Sequence, residues 1–310
     1  MPPGPAAVEL GLGLQTNLDA DGYVRIARLA EESGLDVISV FQDLGYQPAI
    51  VALTLVAQAT ERIRLGPAAL NPWTIHPFEI AAQIAALDAV SGGRAYLGLA
   101  QGAWLDEIGL QGERSLAGMR EAIEVVRRVL RGDGSGFSGE RFQLRPGRTL
   151  RFEHPRADVP LMLGTWRPRM AALAGELANE VKIGGCANPD MVRVMRGWIG
   201  NDEVDVVVGA VTAIDEDGDV ARDLARRAVG LYLPVVAGLD ATLALGPDDP
   251  IPIDAFVVAG TPDDVVRKVR SLAEAGATRI EFGPPLGRTA ENGLRLLAQD
   301  VLPALRTGMP

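Results

Sequence analysis

Residues 93–107 read GRAYLGLAQGAWLDE, and this stretch carries the pattern on which the rest of the chain is built. Arg94 to Ala100 form a short, mostly apolar run after a glycine turn, which predicts a buried β-strand. The strand ends in Gln101-Gly102-Ala103, where glycine leaves the backbone open, and Trp104 and two carboxylates follow. A strand that ends in this way is suited to hold a bound molecule against its backbone.

The same succession of strand and helix repeats along the chain. The predicted strands cover residues 8–14, 36–41, 64–70, 94–100, 159–164, 180–185, 204–214 and 278–283. The predicted helices cover residues 19–33, 48–60, 77–90, 115–131, 167–177, 189–199, 219–236 and 290–305; another begins at 261, and 237–259 read mostly as loop. Eight strand–helix units within 310 residues predict an α/β fold of the (β/α)8 TIM barrel type.

An open, doubly wound sheet is the alternative α/β architecture. It would favour the fingerprint Gly-x-Gly-x-x-Gly after the first strand, but Gly11-Leu12-Gly13 is not followed by the third glycine. Residues 132–158, rich in Gly, Arg and turn-forming residues, interrupt the alternation. We interpret them as a hairpin insertion after the fourth βα unit of a single domain that covers residues 1–310.

Composition excludes several classes of function. The net charge of −10 argues against a nucleic-acid partner, because such partners are bound mainly by Lys and Arg. No apolar run approaches the roughly 20 residues that span a bilayer, and the N-terminus lacks the pattern of a signal peptide. The single Cys186 excludes an intramolecular disulfide, and with His76 and His154 it makes a poor zinc site. These features predict a cytoplasmic protein with no metal, membrane or nucleic-acid partner.

Active sites of (β/α)8 barrels lie at the carboxyl ends of the strands. The stretch GTWRPRM (164–170) opens directly into a helix, whose N-terminus carries free N–H groups and a partial positive charge. Arg167 and Arg169 add positive charge to that end. This loop therefore predicts a cradle for a phosphate, although a plain strand-to-helix turn is the alternative.

Other strand ends carry polar and aromatic residues. Asp43 directly follows the second strand, where a partly buried carboxylate needs a partner. Aromatic side chains collect at the same predicted mouth, and they favour a planar or apolar substrate portion. These residues are Phe41, Tyr46, Trp73, Trp104 and Trp166. His76 precedes a proline at a helix start, which favours a capping or packing role.

Three stretches resemble a known family. Residues 71–104, 164–184 and 259–287, the last ending in FGPPLG, are similar to the bacterial luciferase-like superfamily. Within it they look closest to the branch that uses the deazaflavin coenzyme F420, which includes methylenetetrahydromethanopterin reductases. The resemblance runs through most of the chain in the same order, and that superfamily is built on a (β/α)8 barrel with an insertion.

The resemblance implies a cofactor, coenzyme F420 or alternatively FMN, and a set of residues that contact it. Ala68 and Ala69 would form a backbone bulge behind the cofactor ring that contains a cis peptide bond. The ring edge, ribityl chain and phosphate would contact Gln101, Gly102, Ala103, Gly164, Thr165, Trp166 and Arg167, with Gly184 and Gly185 on the far side. The family also leads us to expect a homodimer.

Two positions depart from the F420-using branch. Its members usually place Asp-His at the end of strand two, where this chain has Gln42-Asp43, and some carry Glu where this chain has Ala103. We therefore interpret Asp43 as the proton donor and Gln42 as a group that orients substrate or ring. A structural role for Asp43, as a helix cap or ion-pair partner, is the alternative.

Three functions follow from this reading of the sequence. The first is hydride transfer between F420 and a small organic substrate, with reduction of an activated C=C or C=N bond. The second is an FMN-dependent luciferase-like monooxygenase. The third is a cofactor-free barrel with a non-redox or binding role, since fold alone does not decide function.

Overall fold

The structure, a computed structural model, describes residues 8–110, 115–230, 232–246 and 249–308. The ends of the predicted domain, 1–7 and 309–310, lie outside these ranges. The strands are β1 (Glu9–Leu14), β2 (Val37–Val40), β3 (Arg64–Pro67), β4 (Leu97–Ala100), β5 (Phe137–Ser138), β6 (Gln143–Leu144), β7 (Leu161–Gly164), β8 (Glu180–Gly184), β9 (Asp205–Ile214), β10 (Val257–Gly260) and β11 (Arg279–Leu286).

Helices follow most of the strands. They are α1 (Ala20–Glu32), α2 (Ala49–Ala59), α3 (Pro77–Val90), α4 (Leu116–Leu130), α5 (Pro168–Leu177), α6 (Pro189–Ile199), α7 (Gly218–Val229), α8 (Leu233–Ala237), α9 (Pro262–Glu274), α10 (Ala290–Leu296) and α11 (Leu302–Gly308). A π-helical turn, Leu297–Val301, joins the last two.

Eight of the strands form a nearly closed parallel barrel. Their order is β3-β2-β1-β11-β9-β8-β7-β4, and every described pairing along this path is parallel. The bridges Leu65–Ala95 and Leu70–Leu99 join β3 to β4 and so bring the two ends of the sheet together. The predicted (β/α)8 barrel is confirmed. An antiparallel hairpin, β5–β6, follows α4.

Two predicted elements were wrong. Residues 257–259, at the end of the stretch predicted as mostly loop, belong to β10, which pairs with the second half of the long strand β9. The helix predicted over 219–236 is two helices, α7 and α8; Leu231 between them lies outside the described residues. Pro234 explains the break, because a proline inside a helix lacks the N–H donor and clashes with the carbonyl four residues earlier.

Charged side chains fill the barrel interior. Arg279 binds Glu281 (Nε to Oε1, 3.0 Å) and Glu180 (Nη2 to Oε2, 2.8 Å). Lys182 also pairs with Glu281, so two cations and two anions alternate along this chain of ion pairs. Ser39 Oγ donates to Glu281 Oε1 at 2.6 Å. We call Ser39, Glu180, Lys182, Arg279 and Glu281 the ionic cluster.

The charges of the ionic cluster alter one another's pKa values, and their side chains occupy space inside the barrel. Burial alone would raise the pKa of Glu281, but the Lys182 and Arg279 charges outweigh it and hold that pKa below its usual range. Burial lowers the pKa of Lys182. A Cβ at Gly11 would lie 2.9 Å from Glu281 Cγ, so this glycine makes space for the cluster.

We predict that Glu281→Gln lowers the free energy of unfolding by about 3–5 kcal/mol, because it leaves two buried cations with one fewer anion. Urea unfolding followed by circular dichroism measures the change. Glu124→Gln is the control, since Glu124 pairs with Arg128 on the surface of α4 and such pairs contribute about 0–1 kcal/mol. Similar losses in the two variants would contradict the prediction.

Candidate functional site

A hydrogen-bonded pair lies where the first two strands end. Gln15 follows β1, Asp43 follows β2, and Gln15 Nε2 donates to Asp43 Oδ2 at 2.8 Å. Because β1 and β2 are parallel neighbours, their carboxyl ends open at the same mouth of the barrel. Asp43 therefore has a fixed orientation at the place where barrel enzymes carry out chemistry.

Tyr232, between α7 and α8, completes this group. Burial, followed by the negative charge of Asp43, raises the pKa of Tyr232 to about 12, and its phenol has side-chain hydrogen bonds with Gln15 and Asp43. The phenol is therefore protonated at neutral pH and can donate to the carboxylate. The ring of Trp104 packs against it, with ring centroids 5.9 Å apart and planes inclined by 55°.

We call Gln15, Asp43, Trp104 and Tyr232 the carboxylate pocket. The sequence interpretation included Asp43 and Trp104 but missed Gln15 and Tyr232. Gln15 could have been found, because it follows the first strand as Asp43 follows the second. Tyr232 carried no such signal, since it lay inside a segment predicted as continuous helix.

Gln42 and Phe41 lie beside this pocket with different surroundings. The Gln42 Oε1 atom accepts from the N–H of Ala49 at 2.8 Å and so caps the start of α2. The amide nitrogen is therefore the atom through which Gln42 could orient the substrate or ring, as the sequence predicts. The Phe41 ring lies over Lys182, with Nζ 5.4 Å from the ring centroid, and separates the ionic cluster from the mouth.

Two of the aromatic side chains predicted at the mouth have defined partners within the protein. The Trp166 side chain is 8% exposed, and its Nε1 donates to the Gly184 carbonyl at 2.8 Å. The indole therefore binds main chain through its polar atom and packs its ring in the core, and its predicted contact with a cofactor stays a prediction. Trp73 stacks on Phe142 of the insertion, with centroids 6.0 Å apart. His76 accepts from the N–H of Phe78 and caps α3, as predicted.

Alanine and glycine residues follow several of the other strands at the mouth. The peptide bond between Ala68 and Ala69 is cis, as the resemblance implied. A Cβ added at Gly184 would meet no atom within 4 Å, so the end of β8 faces open space. Gly102 and Gly185 have φ values of 74° and 75°, a conformation that favours glycine. Of these positions, Gly184 at the end of β8 is the one whose added Cβ would meet open space.

A cavity of about 390 Å³ lies next to Gln101. Its lining consists of Gln101, Ser115, Leu116, Ala117, Arg167, Arg169 and Met170. Two helices begin here: α4, capped by Ser115 Oγ accepting from Gly118 N at 3.0 Å, and α5, which starts at Pro168. Two helix N-termini and two guanidinium groups form an environment suited to an anion.

Two kinds of feature are absent from the described ranges: metal-binding clusters and membrane-spanning helices. Within residues 8–110, 115–230, 232–246 and 249–308, no group of three or more His, Cys, Asp or Glu side chains could hold a metal ion. In the same part of the chain, no helix is long and apolar enough to cross a membrane.

Comparison with known proteins places the chain in a family. Residues 6–279 match the family model described as luciferase-like monooxygenase, so the chain belongs to the luciferase-like monooxygenase family. It is 30% identical to the 5,10-methylenetetrahydromethanopterin reductase of Archaeoglobus fulgidus, over 90% of this chain and 94% of that protein.

Other relatives are similar over nearly their full length. An F420-dependent glucose-6-phosphate dehydrogenase of Rhodococcus erythropolis is 27% identical over 97% of this chain and 99% of its own. The solved structure of the coenzyme F420-dependent tetrahydromethanopterin reductase of Methanopyrus kandleri superposes with a TM-score of 0.85. It is 28% identical and covers 97% of this chain and 100% of its own.

Proposed function

We propose that this protein is an oxidoreductase that uses coenzyme F420 to transfer a hydride to or from a small organic substrate. The favoured reaction is reduction of an activated C=C or C=N bond. The observation that carries the proposal is the cavity of about 390 Å³ lined by Arg167, Arg169 and the first residues of α4. Relatives named for F420 use support it.

The residues present fit such a cofactor. The two arginines and the N-terminus of α4 would bind its phosphate or carboxylate groups. The ring would contact main chain and small side chains of Ala68, Ala69, Gln101, Gly102, Ala103, Gly164, Thr165, Gly184 and Gly185. Trp166 would act by fixing the backbone at Gly184 and not by stacking.

When bound, F420 would supply the hydride chemistry, and the protein supplies position and electrostatics. Adding a hydride to one carbon of an activated double bond leaves negative charge that requires a proton. In this proposal Asp43 takes up a proton from solvent and donates it to the substrate, while Gln15 and Tyr232 hold the carboxyl group in place. In this proposal Phe41, which lies over Lys182, and Trp104, which packs on Tyr232, would contact the substrate.

Titration of the purified protein with F420 and with FMN, followed by absorption and fluorescence, tests the proposal. Saturable binding of F420 in preference to FMN is the expected result. Binding of FMN alone would replace the proposal with a monooxygenase that holds a flavin. Failure of both to bind would replace it with a cofactor-free role.

Arg167→Ala should weaken F420 binding by about 1.5–3 kcal/mol, the usual contribution of a charged hydrogen bond. The dissociation constant from fluorescence titration measures the effect. Arg226→Ala is the matched control, because Arg226 is exposed on α7 and pairs with Asp223. If both variants bind F420 as the unmodified protein does, Arg167 is not an anchor.

Asp43→Asn keeps the shape and the Gln15 hydrogen bond but removes the proton. We expect turnover to fall by about 100- to 10,000-fold, the usual contribution of general acid catalysis, with little change in F420 affinity. Steady-state kinetics and the F420 titration measure the two quantities. Asp223→Asn, on the outer face of α7, serves as the control. Near-normal turnover of Asp43→Asn would assign the proton to solvent or to another residue.

We further propose a homodimer in the cytoplasm, formed from single-domain subunits without a nucleic-acid partner. The family resemblance supports the dimer. The single cysteine supports the cytoplasmic location, and the net charge of −10 supports the absence of a nucleic-acid partner. Light scattering on the eluate of a sizing column measures the subunit number.

A further inference from the structure

Large apolar side chains are exposed around the carboxylate pocket. Leu44, Tyr46, Ile108 and Val235 are 36%, 40%, 50% and 47% exposed, respectively. We call these four residues the apolar rim. Clusters of exposed apolar side chains on a soluble protein commonly mark a binding surface.

The three segments that carry the apolar rim converge on Tyr232. Asp43 and Tyr46 of the loop after β2 both act on the Tyr232 phenol. Trp104, which precedes the turn containing Ile108, packs on the Tyr232 ring. Val235 lies in α8, one turn beyond Tyr232, and its backbone N–H donates to the Tyr232 carbonyl at 3.0 Å. The rim therefore surrounds the same pocket that holds Asp43.

Charge is divided between the two sides of the mouth. Arg167 and Arg169 line the cavity next to Gln101. On the opposite side, the exposed Asp106 and Glu107 follow Trp104 directly. A ligand bearing negative charge is attracted to the first side and repelled from the second, since like charges at short range disfavour each other.

We propose that the substrate is an uncharged, largely apolar molecule whose single polar group, a carbonyl or an imine, lies against Asp43. The apolar rim, Trp104 and Tyr232 would cover its hydrocarbon part, and the acidic side of the mouth would exclude phosphorylated or carboxylated compounds. This inference deepens the proposed function and rests on it. It separates this chain from relatives named for glucose 6-phosphate, a substrate with a charged phosphate.

A matched pair of enones tests the substrate class. Benzylideneacetone is uncharged, and its para-carboxylate has the same reacting group with one added negative charge. Isothermal titration of each into the protein, with and without oxidised F420 so that no turnover occurs, measures both dissociation constants. We expect the uncharged compound to bind at least tenfold more tightly.

Three variants and one control, Trp198→Ala, connect the selectivity to the named residues. Trp104→Ala should weaken binding of the uncharged enone at least fivefold, whereas Trp198→Ala on the outer helix α6 should leave it unchanged. Asp106→Asn combined with Glu107→Gln should improve binding of the carboxylate severalfold and leave the uncharged enone unaffected. Val235→Asp should weaken binding of the uncharged enone without changing the subunit number.

The outcomes separate this inference from the proposed function. Equal or tighter binding of the carboxylate, or no binding of either enone, would overturn the substrate class even if F420 binds. Conversion of a dimer to a monomer by Val235→Asp, with unchanged enone affinity, would show that the rim is a subunit interface and would also overturn it. Failure of F420 to bind would overturn the proposed function, while the enone titrations without cofactor still decide the class.

Discussion

The ion pairs inside the barrel are the constraint on which the remaining structure depends. Lys182 and Glu281 join β8 to β11, and Arg279 extends the contact to Glu180. Buried charges of this kind are tolerated only when each finds a partner, so the registers of these strands are tied to one another. The cluster also requires small residues opposite, as at Gly11, and it supports Phe41 at the floor of the mouth.

Above that floor, loops from distant parts of the chain divide the mouth into two chemical environments. One has guanidinium groups and helix N-termini, which suits an anionic cofactor. The other has a carboxylate held by Gln15 and Tyr232 within an apolar rim. The barrel thus separates the groups proposed to bind the cofactor from the group proposed to move a proton.

Errors in the sequence interpretation have identifiable physical causes. The helix predicted over 219–236 overlooked Pro234, which ends helical hydrogen bonding. The strand β10 was missed because four residues give too short a pattern to distinguish strand from loop.

The sequence by itself determined the eight βα units, the insertion after the fourth, and Asp43 at a strand end, because periodicity, turns and caps are local properties. Resemblance to a family added the cis bond between Ala68 and Ala69. Only the tertiary structure decided that Gln15 and Tyr232 bind Asp43, and that Lys182 pairs with Glu281 across 99 residues of sequence. Such contacts join residues far apart in the chain, and no local pattern encodes which partner a buried polar group will find.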